Sequence, residues 1–134
     1  MVIFWPVAQV HHYKLHVPIL MGTHTFDVFR SYQMGALDNL KVLDFSTLLP
    51  GPFATMMLAD MGAEVLRVES PTRPDMTRQL PPFVGGVAAK HATLNRNKRA
   101  ITLDLKNSHA IELVKEMVQD YDILVEQFRP GVMD

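Results

Sequence analysis

The chain has 134 residues, 48% of them hydrophobic, a formal net charge of −1 and no cysteine. That length suits one domain with a buried core rather than two. The near-neutral balance offers no basic face for nucleic acid, and the missing cysteines exclude a disulfide scaffold, a thiolate zinc site and a cysteine nucleophile.

The chain opens on "MVIFWPVAQV", apolar but without the basic leader of a secretory signal. Residues 1–33 hold one Arg, one Lys and one Asp and show no basic amphipathic pattern. No apolar run in the sequence approaches the ~20 residues of a membrane-spanning helix. Four of the six histidines (His11, His12, His16 and His24) precede residue 25. His12 and His16 stand at i, i+4 and would share a helix face as metal ligands, but no helical period supports them and no third ligand lies nearby. A composition break follows at Met34. The expectation is that residues 1–33 are an unassigned, poorly ordered extension; a genuine N-terminal arm is the alternative.

From Met34 onward the text alternates strands and helices. "KVLDFS" (41–46) reads as a buried strand, and 47–51 as a turn. Pro52 suits the first helical position, where a missing N–H costs nothing. Phe53, Met56, Met57 and Met61 fall at helical spacing with Leu58 beside them, which predicts a core-facing stripe. Gly62 is a helix stop. "EVLRVES" (64–70) is a second strand, with β-branched Val65 and Val68.

Residues 71–90 carry four of the nine prolines and the pair Gly85-Gly86, which predicts a long surface excursion. "NRNKRA" (95–100) reads either as a solvated turn or as a phosphate-attracting cluster of Arg96, Lys98 and Arg99. "RAITLDL" (99–105) is a third strand. Asn107 or Ser108 caps a helix over 109–120, with Ile111, Leu113, Val114, Met117 and Val118 as its apolar face. "YDILVEQF" (121–128) is a fourth strand, and "RPGVMD" opens a further turn or helix. Strands alternating with helices or crossover segments predict an α/β fold with a mostly parallel sheet. Ligands of such sheets bind beyond the carboxyl ends of the strands, where the strand order reverses.

None of the standard glycine-rich phosphate fingerprints, the nucleophile elbow or the zincin motif is present. The turn before the first helix is therefore either a backbone-lined pocket wall or a simple tight connection. Asp44, at the end of the first strand, is read as making structural hydrogen bonds.

Four phrases in order, "LDNLKVLDFSTLLPGPFATMMLADMGAEVLRVESP", "DMTR", "LNRNKRAITLDLKN" and "DILVEQFRPGVMD", resemble the N-terminal part of the family III CoA-transferases. That group includes formyl-CoA and carnitine CoA-transferases and the α-methylacyl-CoA racemases. The resemblance covers about residues 37–134. It implies that 34–134 form the N-terminal, incomplete part of a Rossmann-like large domain that holds the adenosine diphosphate end of CoA. It implies that Leu48, Leu49, Pro50 and Gly51 line the active-site wall. It also implies CoA contacts from Leu103, Asp104, Leu105 and Lys106, and from Gln127, Phe128 and Arg129. Leu103 and Leu105 also read as plain strand core, and Arg129 as a solvated helix-start arginine.

Coenzyme A is implied as a substrate moiety, with no permanently bound cofactor. Acyl-CoA and small carboxylates are the implied partners, with an interlocked homodimer in the full-length protein, no nucleic acid and no membrane. The implied compartment is cytoplasmic, with mitochondrion and peroxisome as alternatives. Two departures stand out. Many members carry Arg where Ser70 stands, with Arg73 nearby as a substitute, and formyl-CoA transferases carry Gln at the place of Leu49, which points to a larger acyl group. The family's catalytic aspartate, and the His and Asp of its racemases, lie beyond Asp134. No catalytic residue is assigned within this chain. The expected function is that of an N-terminal fragment of an acyl-CoA:carboxylate CoA-transferase. A racemase fragment and a non-catalytic CoA-binding or dimerisation remnant are the alternatives.

Overall fold

The computed structural model describes residues 35–133. The expected N-terminal extension and the His12–His16 pair lie outside the described residues. The elements run β1 (Lys41–Asp44), α1 (Pro50–Asp60), β2 (Glu64–Glu69), a 3-10 turn (Met76–Gln79), β3 (Phe83–Val84), β4 (Val87–Ala88), α2 (Ala89–Leu94), β5 (Arg99–Thr102), α3 (Ser108–Met117), a second 3-10 turn (Val118–Asp120) and β6 (Ile123–Val125).

Strands β5, β2, β1 and β6 form one sheet in that spatial order, all parallel, while β3 and β4 form a separate antiparallel hairpin. The expected α/β class with a parallel sheet is what the chain adopts. Its order reverses at β1: the chain builds outward through β2 to β5, then returns across the sheet to place β6 on the other side of β1.

Side chains alternate across the sheet, so each face gathers its own core. On one face Val42 and Val65 pack with Ala59 and Ala63 at the end of α1, helped by Leu37, Leu40, Leu58 and Val125. On the other, Leu43, Phe45 and Val68 pack with Ile101, with Val114 and Met117 of α3, and with Tyr121 and Phe128. The two helices thus cover opposite faces of the sheet. Gly62, at φ +105, ends α1 in the left-handed conformation that glycine adopts without cost.

Several expectations need correction. Helix α1 begins at Pro50, not Pro52, and both prolines sit in the first turn, where intrahelical N–H bonds are not required. Its buried side is Pro52, Thr55, Met56 and Ala59. Phe53, Met57 and Met61 are 48%, 48% and 41% exposed, so of the predicted stripe only Met56 is buried and only Leu58 packs partly against the core. Small side chains facing the sheet let the helix lie close to β1, which turns the larger ones outward. On α3, Val114 and Met117 pack inward while Ile111 and Leu113 are exposed, as is Val118 beyond its end.

The third strand stops at Thr102. Leu103 N–H still donates to the Glu69 carbonyl at 2.9 Å, and a turn through Asp104 and Asn107 follows. Asn107, not Ser108, caps α3, accepting from His109 N–H at 2.9 Å. The fourth strand is only 123–125, because Glu126 turns its carboxylate onto the Phe128 N–H at 2.5 Å and bends the chain. Residues 71–90 are not simply a surface excursion: Asp75, Thr77 and Ala88 are buried, and α2, which no period announces, follows the hairpin.

Candidate functional site

The site is built at the carboxyl ends of β1 and β6, where the strand order reverses. Asp44, the last residue of β1, is fully buried. Its Oδ1 accepts from Ser46 N–H at 2.8 Å and from the Ser46 hydroxyl, and its Oδ2 accepts from the Thr55 hydroxyl of α1 at 2.5 Å. Lys98 completes the carboxylate at 3.4 Å. The Lys98 ammonium also donates to Thr55 Oγ1 at 2.7 Å, to the Pro52 carbonyl at 2.8 Å and to Asn95 Oδ1 at 3.2 Å. Burial lowers its pKa to about 8, against the opposing pull of Asp44. Asp44 is thus structural, as its position at a strand end implies.

These bonds draw the first turn of α1 against β1. A Cβ on Gly51 would overlap the Ser46 side chain and come within 3.5 Å of Gln127 Oε1. Glycine is required there by close approach. Gln127, two residues past β6, donates from Nε2 to Thr47 Oγ1 at 2.8 Å. One bond therefore joins the segment after β6 to the turn after β1. Leu48 follows at φ +67, a conformation that costs a non-glycine residue roughly 1–2 kcal/mol. Leu48, Leu49 and Pro50 are exposed in this turn, while Gly51 is half-buried.

The other sequence-predicted residues divide into two groups. Leu103, Leu105 and Phe128 come together around Leu43, Phe45 and Val68, with the Phe128 and Phe45 rings tilted at a centroid distance of 6.4 Å. They pack, partly buried, against the core on the α3 face of the sheet; Leu103 and Leu105 do so from beyond the end of β5, not from within the strand. Asp104 and Lys106 follow β5 at one edge of the sheet, and Arg129 follows β6 at the other. Asp104 Oδ1 accepts from Lys106 N–H at 3.1 Å, and the Lys106 and Arg129 side chains are exposed. Arg73 is exposed beyond β2, its N–H donating to Ser70 Oγ at 3.2 Å.

The basic cluster of residues 95–100 is a turn before a strand with Arg96 and Arg99 exposed, as the solvated-turn reading expects, but both are paired with carboxylates and Lys98 fits neither reading. Arg96 forks onto Asp60, Arg99 pairs with Glu64, and Lys98 is buried under α1.

Sequence reasoning missed a second polar cluster beside the first. Arg67, on the same face as Val65, is 1% exposed. Its Nη2 meets Asp75 Oδ2 at 2.5 Å. Its Nη1 lies 3.2 Å from Glu69 Oε1 but off the hydrogen-bond direction, so that contact is an ion pair and leaves the donor unsatisfied. Glu69 receives a bidentate fork from Arg78 at 3.0 and 3.1 Å. Asp75 Oδ1 accepts from the Thr77 N–H and hydroxyl, both at 2.8 Å, and the hydroxyl lies 3.0 Å from His91 Nδ1. Asn95 Nδ2 is 3.3 Å from the same nitrogen. Burial, with Arg78 and Arg67 nearby, lowers the His91 pKa to about 4 and keeps the imidazole neutral. Asn95 thus links both clusters into one buried polar chain. The available signal was Arg67 itself: an arginine on the buried side of a central strand requires a carboxylate partner.

The family model of CoA-transferase family III matches residues 37–134. The chain belongs to this family. It is 43% identical over 96 residues to the succinyl-CoA:glutarate CoA-transferase of Homo sapiens, covering 71% of this chain and 22% of that one. It is 42% identical over 100 residues to the acetyl-CoA:oxalate CoA-transferase of Acetobacter aceti, covering 75% and 26%. It is 44% identical over 100 residues to the formyl-CoA:oxalate CoA-transferase of Rhodopseudomonas palustris, covering 74% and 24%. Among solved structures, a CAIB/BAIF family protein from Brucella suis superposes with a TM-score of 0.68 at 39% identity, covering 74% of this chain and 27% of that one. A hypothetical protein from Mycobacterium tuberculosis does so with 0.67 at 36% identity, covering 74% and 27%. This family III chain therefore spans about a quarter of the length of the relatives it matches.

Proposed function

We propose that residues 37–134 form the N-terminal, CoA-binding part of an acyl-CoA:carboxylate CoA-transferase. The observation that carries this reading is the Gln127–Thr47 hydrogen bond. It joins the "EQFR" segment to the turn after β1 at the point of strand reversal, where ligands of parallel sheets bind. In this reading Leu48, Leu49, Pro50 and Gly51 line the acyl-CoA pocket. Leu103 and Leu105 support the adenosine side with Phe128, while Asp104 and Gln127 offer polar contacts. Lys106 and Arg129 attract CoA phosphate. Residues 34–134 are then the beginning of a Rossmann-like large domain.

The whole protein, in this reading, acts on acyl-CoA and small carboxylates as a homodimer. The three relatives named above are all carboxylate CoA-transferases, which favours transfer over exchange of an α-proton. Calorimetric titration of the full chain with CoA tests the proposal. Saturable binding that excess adenosine 3′,5′-bisphosphate displaces is expected; no saturable binding up to millimolar CoA overturns it.

A further inference from the structure

Leu48 is the strained member of the turn between β1 and α1, and its backbone is held from a distance. Its N–H donates to Asp75 Oδ2 at 3.1 Å, across 27 residues of sequence. The same oxygen accepts from Arg67 Nη2 at 2.5 Å, while Oδ1 accepts from both donors of Thr77 at 2.8 Å. Asp75 is 2% exposed. We infer that Asp75 is a positioning residue: its carboxylate holds Leu48 in the left-handed conformation from which the Leu48–Gly51 segment walls the acyl-CoA site. The site part of this inference rests on the function proposed above; the anchoring of Leu48 does not.

The chemistry requires a carboxylate. Two oxygens serve four donors: Leu48 N–H, Arg67 Nη2, Thr77 N–H and the Thr77 hydroxyl. Asparagine presents one oxygen and one NH2 group, so one of the two donor pairs must face another donor. Asparagine is a good cap, so its oxygen stays with Thr77 and preserves the 3-10 turn. The NH2 group then meets Leu48 N–H and Arg67. Asp75→Asn therefore releases the turn while keeping the cap.

Arg67 and Glu69 of β2, Arg78 of the 3-10 turn, His91 of α2 and Lys98 of the loop before β5 are the charged and titratable groups around this carboxylate. Burial pushes the Asp75 carboxyl up, but the Thr77 donors and Arg67 outweigh it and hold the group below the usual carboxylate range.

The test begins with the unaltered full chain, 15N-labelled, in an acid titration. The Leu48 amide proton is expected to move in step with that of Thr77, with a midpoint below the ordinary carboxylate range. A Leu48 resonance indifferent to that titration overturns the inference, and this measurement decides even where a variant fails to fold. In Asp75→Asn, amide exchange at Leu48 is expected to rise on the order of tenfold, the factor that a bond of about 1.4 kcal/mol represents. CoA affinity is expected to fall by a similar factor. Adding Leu48→Gly should recover part of that affinity, because glycine adopts φ > 0 without the steric cost that the anchor offsets for leucine. A merely structural Asp75 predicts no such rescue, and its absence overturns the positioning role. Failure of the unaltered chain to bind CoA refutes the proposed function, while the Leu48 titration and exchange still judge the anchor.

Discussion

The Lys98 ammonium donates to the Thr55 hydroxyl at 2.7 Å, and that hydroxyl donates onward to Asp44 at 2.5 Å. Three elements meet in this relay: the loop before β5, helix α1 and the end of β1. Lys98→Met removes the cation and leaves the Asp44 carboxylate buried among neutral donors only. Breaking a buried pair from one side costs about 3–5 kcal/mol. Urea denaturation should show a loss of that size; a loss below about 1 kcal/mol would mean that water replaces the ammonium without penalty.

Gly51→Ala places a methyl group onto Ser46, which its two bonds to Asp44 prevent from moving aside. Overpacking of this kind costs about 1–3 kcal/mol. Thermal melting of the variant should fall accordingly, and unchanged melting would show that α1 can draw back from β1.

The corrected face of α1 makes a contrast between neighbours. Met56 is 5% exposed and Met57 is 48% exposed. Met56→Ala should cost about 2–5 kcal/mol, whereas Met57→Gln should stay within about 0.5 kcal/mol. Equal losses in chemical denaturation would restore the full methionine stripe to the core.

His91 carries a signed dependence on pH. Its pKa is lowered from 6.5 to about 4, so the unfolded chain binds more protons than the folded one between those values. Stability therefore rises with pH through this window and is lost as pH falls from 6.5 towards 4. Denaturation midpoints measured across that range should slope in this sense, and His91→Gln should flatten the slope. A slope that persists in the variant would assign it to another group.

Arg129→Ala tests the phosphate contact of the proposed CoA site. Losing one charge-assisted hydrogen bond costs roughly 1.5–3 kcal/mol, about tenfold to a hundredfold in affinity. Calorimetry with CoA and with dephospho-CoA measures it. Unchanged affinity for both ligands would leave Arg129 a solvated arginine.

Much of this architecture is legible in short windows of sequence. The short apolar content of 41–46 and the β-branched Val65 and Val68 of 64–70 mark two strands, because residues of this kind fit a pleated, buried surface. Gly62 stops α1, and Asn107 caps α3, through contacts within one turn of their own positions. The phrases of 37–134 identify the family, because their order and spacing are properties of the chain as written. The rotation of α1 is a different kind of fact. Its apolar residues fit a Phe53–Met61 stripe as well as the Met56 face, and only the approach of Gly51 to Ser46 and the Thr55–Asp44 bond decide between them. Partners of buried charge are equally invisible to a local reading. Arg67 announces that it needs a carboxylate, but that Asp75 answers depends on how the chain doubles back after β2. Lys98 finds Asp44 across 54 residues, and Leu48 finds Asp75 across 27. Hydrogen bonds of this range follow from the path of the backbone in space, so they exist only once the sheet and its crossovers have formed.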